Sequence, residues 1–353
     1  MTRIAAACAV LPPYRYQQDE IRDALVAMGV VGEREVAVHE RLHAASTVRT
    51  RSLAMPLDRY AALNGLGAAN DAFIEGAMEL GERAITSALD EAGLRPPDVD
   101  LVVSTSVTGL AVPSIEARLA WRLGMRRDVK RVPMFGLGCV AGAAGLSRLH
   151  DYLEGRPEGV AVLLSVELCS LTLQRTDGSA ANLVAGSLFG DGAAAVVAVG
   201  RDHPAASDDA PTVEAGRSHL YPDTEELLGW HIRDQGFRIV LSGDLPDLVR
   251  SQLGGQVREF LDDHDVKPQE VTAWVCHPGG PRVIEAVQES LELPARALES
   301  TWRSLAAVGN LSSASVLHIL SDTLRSRRPL AGTPGVVLAM GPGFSSELVL
   351  LRW

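Results

Sequence analysis

The chain has 353 residues, 46% of them hydrophobic, and a formal charge of -11 from 33 basic and 44 acidic side chains. That length allows one large or two medium domains with a sizeable core. No window gathers basic residues with aromatics, which argues against nucleic acid as a partner, and no apolar run approaches the roughly 20 residues of a membrane span.

The opening stretch "MTRIAAACAVLPPYRY" reads as a first strand rather than a secretory signal, because polar and proline residues end its apolar run. Periodicity then predicts a helix over 71–93, a strand at 99–106, and helices at 114–124 and 139–154. Strands follow at 159–168 and 193–200. The segment "RDHPAASDDAPTV" (201–213), aperiodic and rich in Asp, Ala and Pro, marks a seam. Beyond it come a helix at 247–263, a strand at 271–276, helices at 280–291 and 311–327, and a strand at 335–340. Such alternation predicts an α/β chain with largely buried sheets, divided into halves 1–205 and 206–353.

The halves echo each other. "MFGLGCVAGAAGL" and "LAAVGNLSSASVL" each run from apolar residues through a glycine and one distinctive side chain into a helix of small residues. Small residues permit close backbone approach, so these two helices are expected to be central and mutually packed. Four cysteines (Cys8, Cys139, Cys169 and Cys276) show no CxxC spacing, which points to free thiols in a reducing, cytoplasmic compartment. Lys130 and Lys267 are the sole lysines, and neither sits in the apolar context that a Schiff base requires.

Cys139 falls where a helix should begin. There the positive end of the helix dipole and free N–H groups lower a thiol pKa from about 8.5 toward neutrality. Burial as a plain apolar side chain is the competing reading. A partner is available in His277, which ends an apolar strand ahead of a Gly-Gly-Pro turn; catalytic side chains collect at such strand ends. An ordinary core or surface histidine is the bland alternative. Asn310, before a helix, is either an N-cap or, turned inward, a donor to a developing oxyanion.

"HERLH" (39–43) matches the HExxH zinc pattern, with His39 and His43 one helical turn apart. A zinc site needs a third protein ligand, and no His, Glu or Asp supplies one at an established spacing. No metal is expected.

"FGLGCVAGAAGL", "LFGDGAAAVV" (188–197), "HPGGPR" (277–282), "GNLSSASVL" (309–317) and "MGPGFSSELVLLRW" (340–353) together resemble the type III polyketide synthases, the chalcone synthase family. The resemblance spans nearly the whole chain in order. It implies a five-layer αβαβα thiolase-like fold of two duplicated halves, a homodimer, and no resident cofactor. By resemblance the catalytic triad falls on Cys139, His277 and Asn310, and a gatekeeper phenylalanine on Phe189. Cys139 would accept an acyl group from a CoA thioester, held as a thiolate by His277. Malonyl-CoA would lose CO₂ with its carbonyl against His277 and Asn310; one such donor is worth roughly 3–4 kcal/mol.

The resemblance further implies that Val107, Thr108, Cys169, Thr172, Trp230, Ile239 and Ser312 line the cavity for the growing chain. Gly341, Pro342 and Gly343 would scaffold cyclisation, and Arg41 and Arg282 would meet CoA phosphates. Plant members carry glycine where Trp230 stands and phenylalanine where Ile239 stands. A basic residue common in the family is replaced by Ala45, which leaves Arg49 or Arg51 as other phosphate contacts. The stretch 221–249 is similar to bacterial members that make alkylpyrones or alkylresorcinols from fatty acyl starters. Two rival readings are a single-condensation β-ketoacyl carrier-protein synthase, against which "HPGGPR" and "GPGF" stand, and a non-catalytic thiolase-fold partner, against which the intact triad stands.

Overall fold

The computed structural model describes residues 1–32 and 35–353. In the first half the order is β1 (Thr2–Val10), β2 (Tyr14–Gln17), α1 (Gln18–Ala27), α2 (Val36–Ala45), β3 (Thr50–Leu53), α3 (Gly65–Glu91), β4 (Leu101–Thr105) and α4 (Ile115–Arg122). It continues through β5 (Lys130–Met134), α5 (Ala141–Glu154), β6 (Val160–Leu168), α6 (Ala180–Leu188) and β7 (Asp191–Gly200). The second half begins with β8 (Thr212–Leu220), β9 (Leu228–Arg233), β10 (Gly236–Leu241) and α7 (Leu245–Asp262). It ends with β11 (Ala273–Cys276), α8 (Pro281–Ser290), α9 (Glu299–Val308), α10 (Ser313–Ser326), β12 (Pro334–Gly341) and β13 (Ser345–Arg352).

Nine strands form one continuous sheet in the order β11-β12-β13-β8-β1-β7-β6-β4-β5. Within the sheet the two halves join where β1 touches β8 through two residue pairs, Thr2↔Val213 and Arg3↔Thr212. Helices α5 and α10 fill the space between the two portions of the sheet, α3 covers the outer face of the first and α7 with α8 that of the second. Those are the five layers.

The strands β6, β7 and β12 are buried along their whole length. This is why they read as near-continuous Val, Ala and Leu rather than as alternating patterns. The small residues of the central helices have the expected consequence. A Cβ on Gly142 of α5 would lie 2.2 Å from the Ser313 carbonyl of α10, so only glycine permits that approach. Predicted elements agree within a few residues except at two starts. Helix α3 begins at Gly65 rather than 71, and Cys139 sits in a 3₁₀ turn, Gly138–Val140, ahead of α5 rather than in its first turn. The hairpin β9–β10 and helices α1, α2, α6 and α9 were not predicted; each of these helices spans ten residues or fewer.

Candidate active site

The turn holding Cys139 is shaped by Gly138, whose φ of 58° suits glycine. A Cβ there would meet Pro342 Cδ at 2.6 Å, and one on Gly341 would meet the Leu137 carbonyl at 2.6 Å. The expected cyclisation loop, Gly341 to Gly343, therefore packs directly on the Cys139 turn. Cys139 is buried, with Sγ 3.5 Å from the Ser312 hydroxyl. Burial pushes its thiol up to about 12, against a downward pull from the Ser312 hydroxyl, and the Glu167 carboxylate adds to the rise.

His277 follows β11, and its N–H donates to the Leu338 carbonyl of β12 at 2.8 Å. The ring is buried, Nδ1 has no hydrogen-bond partner, and burial pulls the imidazole down to about 3. No hydrogen bond joins His277 to Cys139 among the described residues. Burial thus weighs against each charge of the expected thiolate–imidazolium pair, since desolvation penalises both.

Asn310 is fixed from both ends. Its N–H donates to the Leu188 carbonyl and its own carbonyl accepts from the Gly190 N–H, each at 2.9 Å. Its Oδ1 accepts from the Ser312 N–H at 2.8 Å and the Ser315 hydroxyl at 3.4 Å, which leaves the NH₂ as the free end of the amide. Asn310 is not the N-cap of α10; Ser312 holds that position in a left-handed conformation, φ 50°. Such a φ is uncommon for a non-glycine residue, and here it brings the hydroxyl to Cys139.

A cavity of about 30 Å³ is lined by Cys139, Val107, Thr108, Cys169, Phe189, Trp230, Ile239 and Ser312, together with Pro342. A second cavity of about 50 Å³ shares Cys169, Phe189, Trp230 and Ile239 with it and adds Thr172. Every pocket residue named from the sequence faces one or both. Trp230 and Ile239 are register partners across β9 and β10, so one hairpin supplies two walls. His277 and Asn310 are buried and do not line the 30 Å³ cavity.

The sequence reasoning missed Glu167. Its carboxylate is fully buried and accepts from the Val107 N–H at 3.1 Å, the Thr108 hydroxyl at 3.0 Å and the Ser313 hydroxyl. Burial pushes it up to about 7. Glu167 thereby ties two cavity-lining residues to the helix that carries Ser312. A lone acid in the apolar run "VAVLLSVEL" was the signal that could have found it.

A surface groove of about 340 Å³ runs between α2, at Leu42, Ala45 and Ser46, and the Gly279–Val283 turn. Arg282 lines it. Arg41 does not line it, and its guanidinium turns back to the Ala37 carbonyl at 3.3 Å. Arg51 is also no surface contact, being 3% exposed. His39 and His43 point inward, with rings 4.2 Å apart at centroid and no hydrogen-bond partner on any ring nitrogen. Among the described residues no three metal-binding side chains cluster.

Two family models cover the chain: the N-terminal domain of chalcone and stilbene synthases over residues 4–203, and the C-terminal domain over 213–353. The chain belongs to the chalcone and stilbene synthase family. It is a type III polyketide synthase and so an acyltransferase. It is 57% identical over 352 residues to a 1,3,6,8-tetrahydroxynaphthalene synthase of Streptomyces peucetius subsp. caesius, covering 100% of this chain and 93% of that one. A putative chalcone synthase of Bacillus subtilis is 36% identical over 314 residues, covering 87% of this chain and 86% of the relative. The crystal structure of the tetrahydroxynaphthalene synthase from Streptomyces coelicolor superposes with a TM-score of 0.93 at 27% identity, covering 99% of each chain. Family membership sets aside the carrier-protein synthase reading. No helix of the described residues is long and apolar enough to cross a membrane.

Proposed function

We propose that this polyketide synthase builds a tetrahydroxynaphthalene-type product with malonyl-CoA as both primer and extender. The carrying observation is the 57% identity, over essentially the full chain, to a synthase named for that product. A ten-carbon naphthalene skeleton corresponds to five two-carbon units, each left by a malonyl group that loses CO₂. This replaces the expected fatty acyl starter and alkylpyrone or alkylresorcinol product. In support, the cavity at Cys139 is small and is walled by Trp230 and Ile239.

In the proposed cycle Cys139 is the nucleophile. His277, neutral at rest, accepts the thiol proton as the sulfur attacks the primer thioester, and CoA leaves as its thiol. The next malonyl-CoA sets its thioester carbonyl against His277 and the free NH₂ of Asn310. The C–CO₂ bond breaks, and these donors stabilise the enolate oxygen. The enolate carbon then attacks the acyl carbon on Cys139, the C–S bond breaks, and the lengthened chain on CoA returns to Cys139. Phe189 and the neighbouring apolar walls keep water from the acyl-enzyme. Arg282 meets CoA at the groove. The cycle uses CoA thioesters and calls for no resident cofactor.

We also propose a homodimer in a reducing, cytoplasmic setting. Strand β5 ends the sheet with most of its residues exposed, and Val112 and Phe135 beside it are 96% and 47% exposed. An open edge flanked by apolar side chains suits a second copy. The four unpaired thiols suit the setting.

The deciding experiment is mass spectrometry of products formed from malonyl-CoA alone and with acyl-CoAs of graded length. A ten-carbon aromatic product from malonyl-CoA alone is expected. Product only when a fatty acyl-CoA is supplied would overturn the proposal.

A further inference from the structure

We infer that the cavity behind Phe189 is a subsite for an anionic oxygen, in which the buried guanidinium of Arg51 receives the free end of the chain growing on Cys139. The inference rests on the malonyl-primed reading above and names what that reading leaves open, the group that recognises the primer.

Arg51 lines the cavity that adjoins the Cys139 chamber across the shared wall of Cys169, Phe189, Trp230 and Ile239. Nε of Arg51 donates to Gln18 Oε1 at 3.0 Å, and Nη1 donates to the Phe189 carbonyl at 2.8 Å. Nη2 is buried and has no partner. No carboxylate among the described residues lies within ion-pair distance. Asp191, the nearest acid to influence it, spends its oxygens on the Ala54 and Ser170 N–H groups and the Ser170 hydroxyl. Burial pulls Arg51 down to about 10, which leaves it charged at neutral pH.

Buried charges are ordinarily paired, since an uncompensated one is costly. A guanidinium with one nitrogen to spare fits a carboxylate or enolate oxygen. The other walls are mostly apolar, Ile21, Leu25 and Leu53 among them, and the hydroxyls of Tyr60, Ser170 and Thr172 and the amide of Asn182 that also line the cavity already have hydrogen-bond partners. A malonyl-primed chain carries such an oxygen at its free end; an alkyl-primed chain offers only a methyl group.

The test is the ratio of malonyl-primed to butyryl-primed product when purified enzyme receives malonyl-CoA with butyryl-CoA. The two primers have similar size and share the same extender, so a defect in extension or in the seating of Phe189 lowers both products together. Arg51→Gln keeps an amide donor for the Phe189 carbonyl but removes the charge, and should lower the ratio about tenfold, one charge-assisted hydrogen bond. Arg51→Lys keeps the charge with poorer reach and should lower it less. An unchanged ratio in whichever variant retains wild-type circular dichroism overturns the inference. Wild-type enzyme that yields butyryl-primed product but none from malonyl-CoA alone would instead overturn the malonyl-primed reading.

Discussion

The main chains of Phe189 and Asn310 are locked together: the Asn310 N–H and C=O bond the residues on either side of Phe189, each at 2.9 Å. The proposed gate and the proposed oxyanion donor therefore sit on one bridge between the two halves of the chain. The free NH₂ of Asn310 is held where only its replacement removes it. Asn310→Ala should lower kcat by about 100-fold or more with a smaller effect on KM, because the donor acts on charge that develops in the transition state. Steady-state kinetics of malonyl-CoA consumption checks this; a change confined to KM would move Asn310 from the chemistry to ground-state binding.

Burial pushes the Cys139 thiol up and the His277 imidazole down, so each group by itself favours its neutral form. Alkylation of Cys139 by iodoacetamide should be slow at neutral pH and climb through the alkaline range. A rate that has reached its plateau by pH 7 would reveal a resting thiolate. Cys139→Ala should abolish chain extension and leave the melting temperature near that of the wild type.

His43 is held down to about 3 from 6.5 by burial, with Arg51, His39 and Arg22 adding positive charge. As pH falls through 6.5 the unfolded chain takes up this proton and the folded chain does not, so stability declines below that pH and is regained above it. At pH 5 the loss is about 2 kcal/mol for this one side chain. Glu167 and Asp191, raised by burial to about 7 and about 6, act in the opposite sense, so the comparison must be between proteins. Urea denaturation at pH 7 and pH 5 should show a smaller drop in His43→Phe than in wild type. Equal drops would mean that His43 is protonated in the folded chain.

Gly142→Ala places a Cβ 2.2 Å from the Ser313 carbonyl and must push α5 from α10. Overpacking of this kind costs about 1–3 kcal/mol. Because Cys139 and Ser312 stand at the starts of these same helices, activity should fall more than stability alone accounts for. Thermal melts and turnover measured on one preparation give both numbers.

Trp230→Gly removes a wall shared by both cavities. Longer acyl-CoA primers should then be accepted and the product distribution shift, as read by mass spectrometry with graded acyl-CoAs. An unchanged distribution would remove Trp230 from control of chain length.

The buried strands and the central helices were legible in the sequence because each is marked locally, and local marks are also what single out Cys139, His277 and Asn310. Long apolar runs announce two-sided burial, and glycines crowd around the proposed reactive positions. What was not legible depends on tertiary placement. "HERLH" has the spacing of a surface metal site, yet the packing of α2 turns His39 and His43 inward. Arg41 and Arg51 lie ten residues apart with the same chemistry, and only the fold leaves one on the surface and seals the other inside. The β9–β10 hairpin is half exposed, so its alternation is diluted, although it delivers Trp230 and Ile239. Ionisation depends on placement too: a helix start lowers a thiol pKa, and the depth of the site raises it.

The narrow seam at Thr2 and Arg3 bears on any attempt to recombine this enzyme with its relatives. A crossover in the loop after Gly200 looks neutral in sequence, but β1 already lies against the second half at Val213 and Thr212. A chimera cut at that loop would set a foreign β8 against β1 at those two pairs, while the eight pairs that join β1 to β7 would stay native. Compatibility at Thr2 and Arg3 is thus the narrow condition that the sheet sets on such an exchange.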